Sequence, residues 1–220
     1  MRIISAIEPQ KKDLKRVNVY LDGEFAFGVT SILATWLNIG QELTEEQING
    51  LIFDDGLESS YQKALHFLSF RPRSIVEVRK NLAERDIPEI LIDETIKHLQ
   101  SNFLLNDLNF AREWVANRKD FHPRSHSALR MELRQKGISE EIIQKALEEI
   151  IDDESLAFLA AQKYKHRLEG LNKLDFRKKL NAFLSRKGFS FSSINPVFIA
   201  VWNELHPGSE HGLSINSEDY

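Results

Sequence analysis

The sequence predicts an all-α protein: three tandem three-helix repeats forming an elongated, curved body, with a small N-terminal β-hairpin and helix extension. Three observations carry this reading. First, Arg71-Pro-Arg-Ser74 returns as His122-Pro-Arg-Ser125, 51 residues later. Second, the segment Leu82-Ala-Glu-Arg-Asp-Ile87 maps at the same step onto Leu133-Arg-Gln-Lys-Gly-Ile138, and again onto Leu184-Ser-Arg-Lys-Gly-Phe189. Third, the apolar series Ile92, Ile143, Ile194 keeps the step, as do Ile96, Leu147, Phe198 and Leu99, Ile150, Val201. A recurring helical unit of this size points to a stacked array, which builds long surfaces more readily than closed catalytic pockets.

The chain opens with two stretches that read as strands, 2–8 and 15–28. Val17-Asn-Val-Tyr-Leu21 alternates apolar and polar residues, Asp22-Gly23 is a hairpin turn signal, and Glu24-Phe-Ala-Phe-Gly28 alternates again. A short helix is expected over 31–37, closing on Asn38-Ile-Gly40. Thr44-Glu-Glu-Gln47 is a capping box that starts a helix running to about Phe53, where Asp54-Asp55-Gly56 breaks or kinks it.

In the first repeat, helices are expected over 58–70, 75–85 and 88–100. Pro72 ends the first of these, because the residue before proline is pushed out of the α region. Ser74-Ile-Val-Glu77 is a second capping box, and Val76, Leu82 and Ala83 supply the inner face of the helix it opens. The second repeat predicts helices over 107–119, 126–136 and 139–151. Asp107 is the expected N-cap, Phe110, Ala111, Trp114 and Val115 form an apolar stripe, and Gly137 ends the middle helix in a left-handed conformation. The first repeat carries Asp86 in that place, a residue that tolerates positive φ better than most. The third repeat predicts helices over 153–167, 174–187 and 191–204, without the Pro-Arg-Ser turn. A terminal unit is often atypical, since one face meets water. The domain organisation is then 1–57 for the extension, 58–106, 107–152 and 153–205 for the repeats, and 206–220 for a polar tail expected to be disordered. Each three-helix unit is small, so the stripes are expected to be buried jointly by stacking.

The 220 residues are 42% hydrophobic and 28% charged, with no cysteine, which removes disulfides, thiolate metal sites and cysteine nucleophiles. No signal peptide or membrane span is read, and the protein is expected to be cytoplasmic. The net charge of −4 is unevenly spread. Residues 1–60 hold 5 basic and 10 acidic side chains, whereas 163–187 holds nine basic ones (Lys163, Lys165, Arg167, Lys173, Arg177, Lys178, Lys179, Arg186 and Lys187) against Glu169 and Asp175. An acidic whole argues against a nucleic-acid-coating protein; the local basic block allows contact with an acidic partner or phosphate.

No catalytic constellation stands out. His122 and His126 straddle Pro123 and read as surface histidines, Glu140-Glu141 and Glu148-Glu149 as solvated acids, and the glycines sit singly at turns. The reading is therefore not an enzyme, with no cofactor and no metal. Binding has more support. Arg71, Arg73 and Arg79 correspond in register to His122, Arg124 and Arg130, so stacked repeats would present a spaced row of cations to acidic side chains or phosphates. Bracing of helix carbonyls within each repeat is the competing role, above all for Arg73 and Arg124 in the turn itself. Trp114, Phe110, Phe67 and Phe70 are assigned to the core in preference to base-stacking platforms.

The ordered set Tyr61-Gln-Lys-Ala-Leu-His-Phe-Leu-Ser-Phe-Arg-Pro-Arg-Ser-Ile-Val-Glu-Val-Arg-Lys-Asn-Leu82, Asn106-Asp-Leu-Asn-Phe-Ala-Arg-Glu-Trp-Val115 and Glu132-Leu-Arg-Gln-Lys-Gly-Ile-Ser139 resembles the RecX regulatory protein family over roughly 58–205. The hairpin around Val17-Asn-Val-Tyr-Leu-Asp-Gly23 and the Leu43-Thr-Glu-Glu-Gln47 segment resemble the N-terminal extension of longer members. The resemblance implies a monomer that binds in the groove of filaments of RecA, the recombinase that polymerises on single-stranded DNA. It implies inhibition of filament extension, ATP hydrolysis and strand exchange, hence a place in homologous recombination, DNA repair and the SOS response, with weak contact to single-stranded DNA. It carries over no catalytic residues. Asp86 in place of the usual glycine and the weak third repeat are departures that leave the fold intact. The partner-binding residues proposed from the sequence are Arg73, Arg79, Arg124, Arg130, Lys163, Arg177, Lys178, Lys179, Arg186 and Lys187. The alternative is a stand-alone DNA-binding helical-repeat protein that uses the 163–187 block.

Overall fold

The computed structural model describes residues 1–11 and 13–207. The chain divides into two compact units, one spanning Met1–Asn106 and a second beginning at Asp107.

The first unit opens with a four-stranded antiparallel sheet. Its strands are β1 (Arg2–Pro9), β2 (Arg16–Leu21), β3 (Glu24–Thr30) and β4 (Glu42–Leu43), in the spatial order β3-β2-β1-β4. The Asp22-Gly23 hairpin forms as the sequence predicts: both residues take positive φ, 53° and 88°, the geometry of the tight turn that suits twisted strands. The expected appendage is thus larger than a hairpin. β1 pairs with β2 along most of its length, and the two-residue β4, which carries no alternation to read, adds to its other edge. Ile4, Val19, Leu21 and Val29 form a sheet core of their own. The short helix α1 (Ser31–Ala34) is one turn long.

Helix α2 runs unbroken from Glu45 to Leu68. This corrects the break expected at Asp54-Asp55-Gly56, and the boundary at 57/58 falls inside the helix. The reason lies in tertiary partners. Asp55 is buried, accepts from the Thr30 amide at 2.7 Å, and pairs with Arg16 Nη2 at 2.6 Å. Gly56 allows close approach of the next helices: a Cβ there would stand 2.8 Å from Leu91 Cδ1. Residues that punctuate a helix when read locally here dock it against the sheet on one side and a helix on the other.

The remaining helices follow the predicted repeats within one to three residues. They are α3 (Ile75–Ala83), α4 (Glu89–Ser101), α5 (Asp107–Phe121), α6 (His126–Gln135), α7 (Glu140–Glu148), α8 (Asp153–Tyr164), α9 (Lys173–Arg186) and α10 (Phe191–Leu205), with a 3₁₀ turn at Lys165–Arg167. Both predicted capping boxes, Thr44/Gln47 and Ser74/Glu77, are closed. α5 begins at Asp107, within one residue of the expected start. The three bends between middle and last helices share one geometry, with φ of 57° at Asp86, 78° at Gly137 and 91° at Gly188.

Each repeat has its own buried cluster. Leu82, Ile92 and Leu99 centre the first, Leu133, Ile143 and Leu147 the second, and Leu184, Ile194 and Val201 the third. Stripes buried jointly by stacking were expected. Three separate clusters are found instead, and among the described residues Ile150 packs against both the second and the third. The inner face of α3 is Val78 and Leu82; Val76, 47% exposed, and Ala83 point outward, because the apolar positions that reach α2 and α4 lie four apart. Phe70 is likewise outside the core at 69% exposed. Among the described residues no helix is long and apolar enough to cross a membrane. Beyond Pro207, the expected tail lies outside the described residues.

Candidate interaction surface

Arg79 and Arg130 recur for an internal reason. Arg79 on α3 pairs with Glu89 and, at 2.5 Å, with Asp93, both on α4. Arg130 on α6 pairs with Glu140 at 2.5 Å and donates to Gln144 at 2.8 Å, both on α7. The partners stand at the same 51-residue step as the arginines, so each guanidinium joins the middle and last helices of its own repeat. The hydrogen bond to Asp93, with the charges of Asp93 and Glu89, holds the Arg79 pKa above its ordinary value. These two residues are already engaged.

The turn residues differ between repeats. Arg71 pairs with Glu77 at 2.9 Å, and the Arg73 guanidinium lies 4.0 Å from the centroid of the Phe67 ring. Burial there, with repulsion from Arg71, lowers the Arg73 pKa. In the second repeat, Arg118 occupies the register position of Phe67, Ala128 that of Glu77 and Glu132 that of Asn81. Arg124 therefore meets a cation where Arg73 meets a ring. One carboxylate holds this group together. Glu132 Oε2 accepts from Trp114 Nε1 and from Arg118 Nε, each at 2.8 Å, and Glu132 Oε1 lies 3.0 Å from Arg124 Nε. Trp114 is half-buried, with Arg118 4.6 Å and Lys136 5.3 Å from its ring centroid. As expected it packs against the core cluster of Phe110, Ala111 and Val115, and its half-exposed edge also lines a groove.

That groove, of about 640 Å³, runs between the second and third repeats. Trp114, Met131 and Ala128 give it an apolar wall, and Arg118, Arg124, Lys136 and Arg186 line it with charge, against Glu132. The seam is close-packed. The Ser125 amide donates to the Lys187 carbonyl at 3.2 Å, and a Cβ on Gly188 would stand 2.5 Å from Ser125 Oγ and 2.9 Å from Ala128 Cβ. His126, read as a surface histidine, is part of the seam: its amide and Nδ1 both approach Asp153 Oδ1, at 2.7 and 2.6 Å.

Seam packing brings further cations to the same end of the unit. Lys187 projects from the end of α9 with its ammonium 5.1 Å from the Phe183 ring centroid. Lys163 on α8 donates to the Asp120 carbonyl, two residues past Arg118. Lys187 is half-buried; desolvation lowers its pKa, and the charges of Arg124, Lys163 and Arg118 lower it further. Its situation is the reverse of that of Arg79: a cation surrounded by cations. Of the sequence-selected residues, the structure gathers Arg124, Lys163, Arg186 and Lys187. Lys179 lies seven residues before Arg186 and so on the same side of α9. Lys178 and Lys179 are exposed and form no ion pair among the described residues, while Arg177 donates to Asn195 at 3.4 Å and lies 5.2 Å from the Phe198 ring centroid. Sequence reasoning missed Trp114, Arg118, Glu132 and Lys136. Their signal was available as departures from the repeat, at the positions where the second copy stops matching the first.

Comparison with known proteins matches four family models in chain order. They are the Regulatory protein RecX N-terminal domain over residues 2–44, and the RecX first, second and third three-helix domains over 61–99, 106–147 and 152–198. The chain is 34% identical over 214 residues to a regulatory protein RecX of Bacillus pumilus, covering 96% of this chain and 80% of the relative. It is 32% identical over 223 residues to that of Bacillus subtilis, covering 99% and 84%. A crystal structure of regulatory protein RecX superposes with a TM-score of 0.67 at 31% identity, covering 90% of this chain and 98% of the other. RecX from Lactobacillus salivarius gives 0.58 at 27% identity, covering 67% and 97%.

Proposed function

Because the chain belongs to the RecX regulatory protein family, we propose that it binds the RecA recombinase and RecA–DNA filaments, and that it inhibits filament extension, ATP hydrolysis and strand exchange. The observation that carries this reading is the match of all four RecX domains in order. The cations gathered on the second unit support it, since a filament offers acidic side chains and phosphates. Action on RecA places the protein in the cytoplasm. Arg73, Arg79 and Arg130, proposed from the sequence as contacts, carry less of the reading, because none of them lines the groove or adjoins the cations gathered around Lys187. Arg124, Lys163, Arg186 and Lys187 carry more.

The test is RecA-dependent ATP hydrolysis on single-stranded DNA, with and without this protein. The expected result is a fall in rate at substoichiometric protein. An unchanged rate at a few-fold excess over filament ends overturns the reading. The gathered cations also favour a second reading, a stand-alone DNA-binding protein. It requires tight, steeply salt-dependent binding to naked DNA, and the net charge of −4 opposes it.

A further inference from the structure

We propose that the first unit carries a docking groove for a protein partner, whose occupant is a cationic amphipathic helical segment. Leu14, Ile32 and Trp36 would hold its apolar face, and Asp54 and Glu58 its basic edge. The groove lies in the unit that has none of the gathered cations, so it is independent of the RecA reading.

The groove, of about 1110 Å³, is bounded by the turn before β2, by α1 and by the middle of α2. Its floor is satisfied within the unit. The half-buried Arg16 donates to the Gly28 carbonyl at 3.2 Å and pairs with the buried Asp55, which also accepts from the Thr30 amide. Its mouth is apolar. Leu14 and Ile32 line it at 81% and 79% exposed, and Trp36, four residues beyond Ile32, is 81% exposed. The amides of Thr35 and Trp36 donate to the carbonyls of Ile32 and Leu33, so the helical turn continues to Trp36 and puts it on the same side as Ile32. The Ser31 amide donates to the Lys15 carbonyl at 2.8 Å, which fixes Leu14 beside α1. A single exposed apolar side chain is ordinary, but three large ones around one groove mark an interaction site, and tryptophan is a favoured anchor.

Charge decides the class of partner. Between Arg16 and Lys63 the chain has eight acidic side chains and neither lysine nor arginine. Asp22 and Asp55 are paired with Arg2 and Arg16; the other six form no ion pair among the described residues. In the groove, Asp13, Asp54 and Glu58 stand against Lys15 and Lys63, the charge of Arg16 being held by Asp55. Asp54 and Glu58 lie one turn apart on α2, a like-charge spacing that weakens a helix until a cation meets it. Such a surface repels phosphodiester and anionic lipid and attracts a cationic polypeptide. Apolar anchors beside acids fit a helix with an apolar stripe and a basic edge, laid into a groove.

The probe is a synthetic fluorescein-labelled peptide of leucine and lysine, about 14 residues or four helical turns long, with its leucines on one face. A second peptide of the same composition has them scrambled. Anisotropy measures binding of each to the full chain at low and high salt. The variants are Ile32→Ser with Trp36→Ser, and Asp54→Asn with Glu58→Gln. All four positions are exposed, so both variants should melt within about 2 °C of the parent. The parent should bind the one-faced peptide at least about tenfold more tightly than the scrambled one, and the serine variant should lose that preference. The amide variant should bind about twofold to tenfold more weakly, with a shallower salt dependence. No binding by the parent, equal binding of the two peptides, or a serine variant that keeps the preference overturns the proposal. So does sedimentation in which the parent self-associates through Ile32 and Trp36, because the occupant is then a second copy. If the serine variant loses the peptide yet slows RecA ATP hydrolysis as the parent does, the groove serves a partner other than RecA and both readings stand. If the parent takes the peptide and has no effect on RecA, the groove assignment stands and the RecA reading falls.

Discussion

The Pro-Arg-Ser turn occurs at 72–74 and again at 123–125, with the same backbone role and different neighbours around its arginine. At the first site, Arg73 lies over Phe67, Arg71 pairs with Glu77, and Glu77 closes the capping box of α3. Arg71 is paired there within one repeat, while the buried Arg73 Nε has no hydrogen-bond partner. At the second site, Phe67 is replaced by Arg118, Glu77 by Ala128 and Asn81 by Glu132. Losing the glutamate removes the reciprocal cap but leaves a small side chain, against which Gly188 of the next repeat closes to near contact. Gaining Arg118 turns the place of a ring into a place of charge. Three substitutions thus turn a self-contained turn into a joint with the next repeat, edged by excess positive charge. A fold built by repetition keeps its core copies alike and varies the surface copies, and the variation is where a new role can enter.

The largest effects should come from what the two sites share. Leu82 and Leu133 are equivalent and fully buried. Leu82→Ala and Leu133→Ala should each destabilise by about 2–5 kcal/mol in urea denaturation. A cost near zero at either would break the claim that the repeats have matching cores.

The bend after the middle helix should separate the sites. Gly188→Ala introduces a Cβ against Ser125 and Ala128 at a φ of 91°, and should cost about 2–4 kcal/mol from strain and overpacking together. Asp86→Gly, at the same bend in the first repeat, should change stability by less than about 1 kcal/mol, since Asp already tolerates its φ of 57° and glycine loses more backbone entropy on folding. Comparable losses for the two variants would mean that the bend at Gly188 is no more closely packed than the bend at Asp86.

The smallest effects should come from the repeated braces. Arg79→Met and Arg130→Met each remove a partly exposed ion pair and should cost no more than about 1 kcal/mol. Neither should alter inhibition of RecA ATP hydrolysis. A loss of inhibition in either would return these arginines to the contact surface and weaken the contrast with Lys187.

Much of the architecture could be read locally. The capping boxes at Thr44 and Ser74 depend on residues three apart, and the bends at Asp86, Gly137 and Gly188 on a single residue's φ. Helix ends were therefore legible to within a few residues. The unbroken course of α2 was not, because Asp55 reads as a helix breaker until Arg16 and Thr30, from the sheet, satisfy its carboxylate. Nor was the edge strand β4, two residues with no period of their own. The candidate surface was half legible. Arg124, Lys163, Arg186 and Lys187 were selected by charge, but so were Arg79 and Arg130, whose partners lie ten to fourteen residues away on another helix.

The sequence by itself determined the repeat, the helix boundaries within it and the apolar positions that recur at its step, because periodicity, caps and positive-φ bends act within one or two helical turns. Only the tertiary structure decided which cations are neutralised and which are gathered. Coulomb interactions and desolvation depend on distance in space. Lys187 reaches Ser125 through a contact that spans more than one whole repeat, and no local pattern announces that.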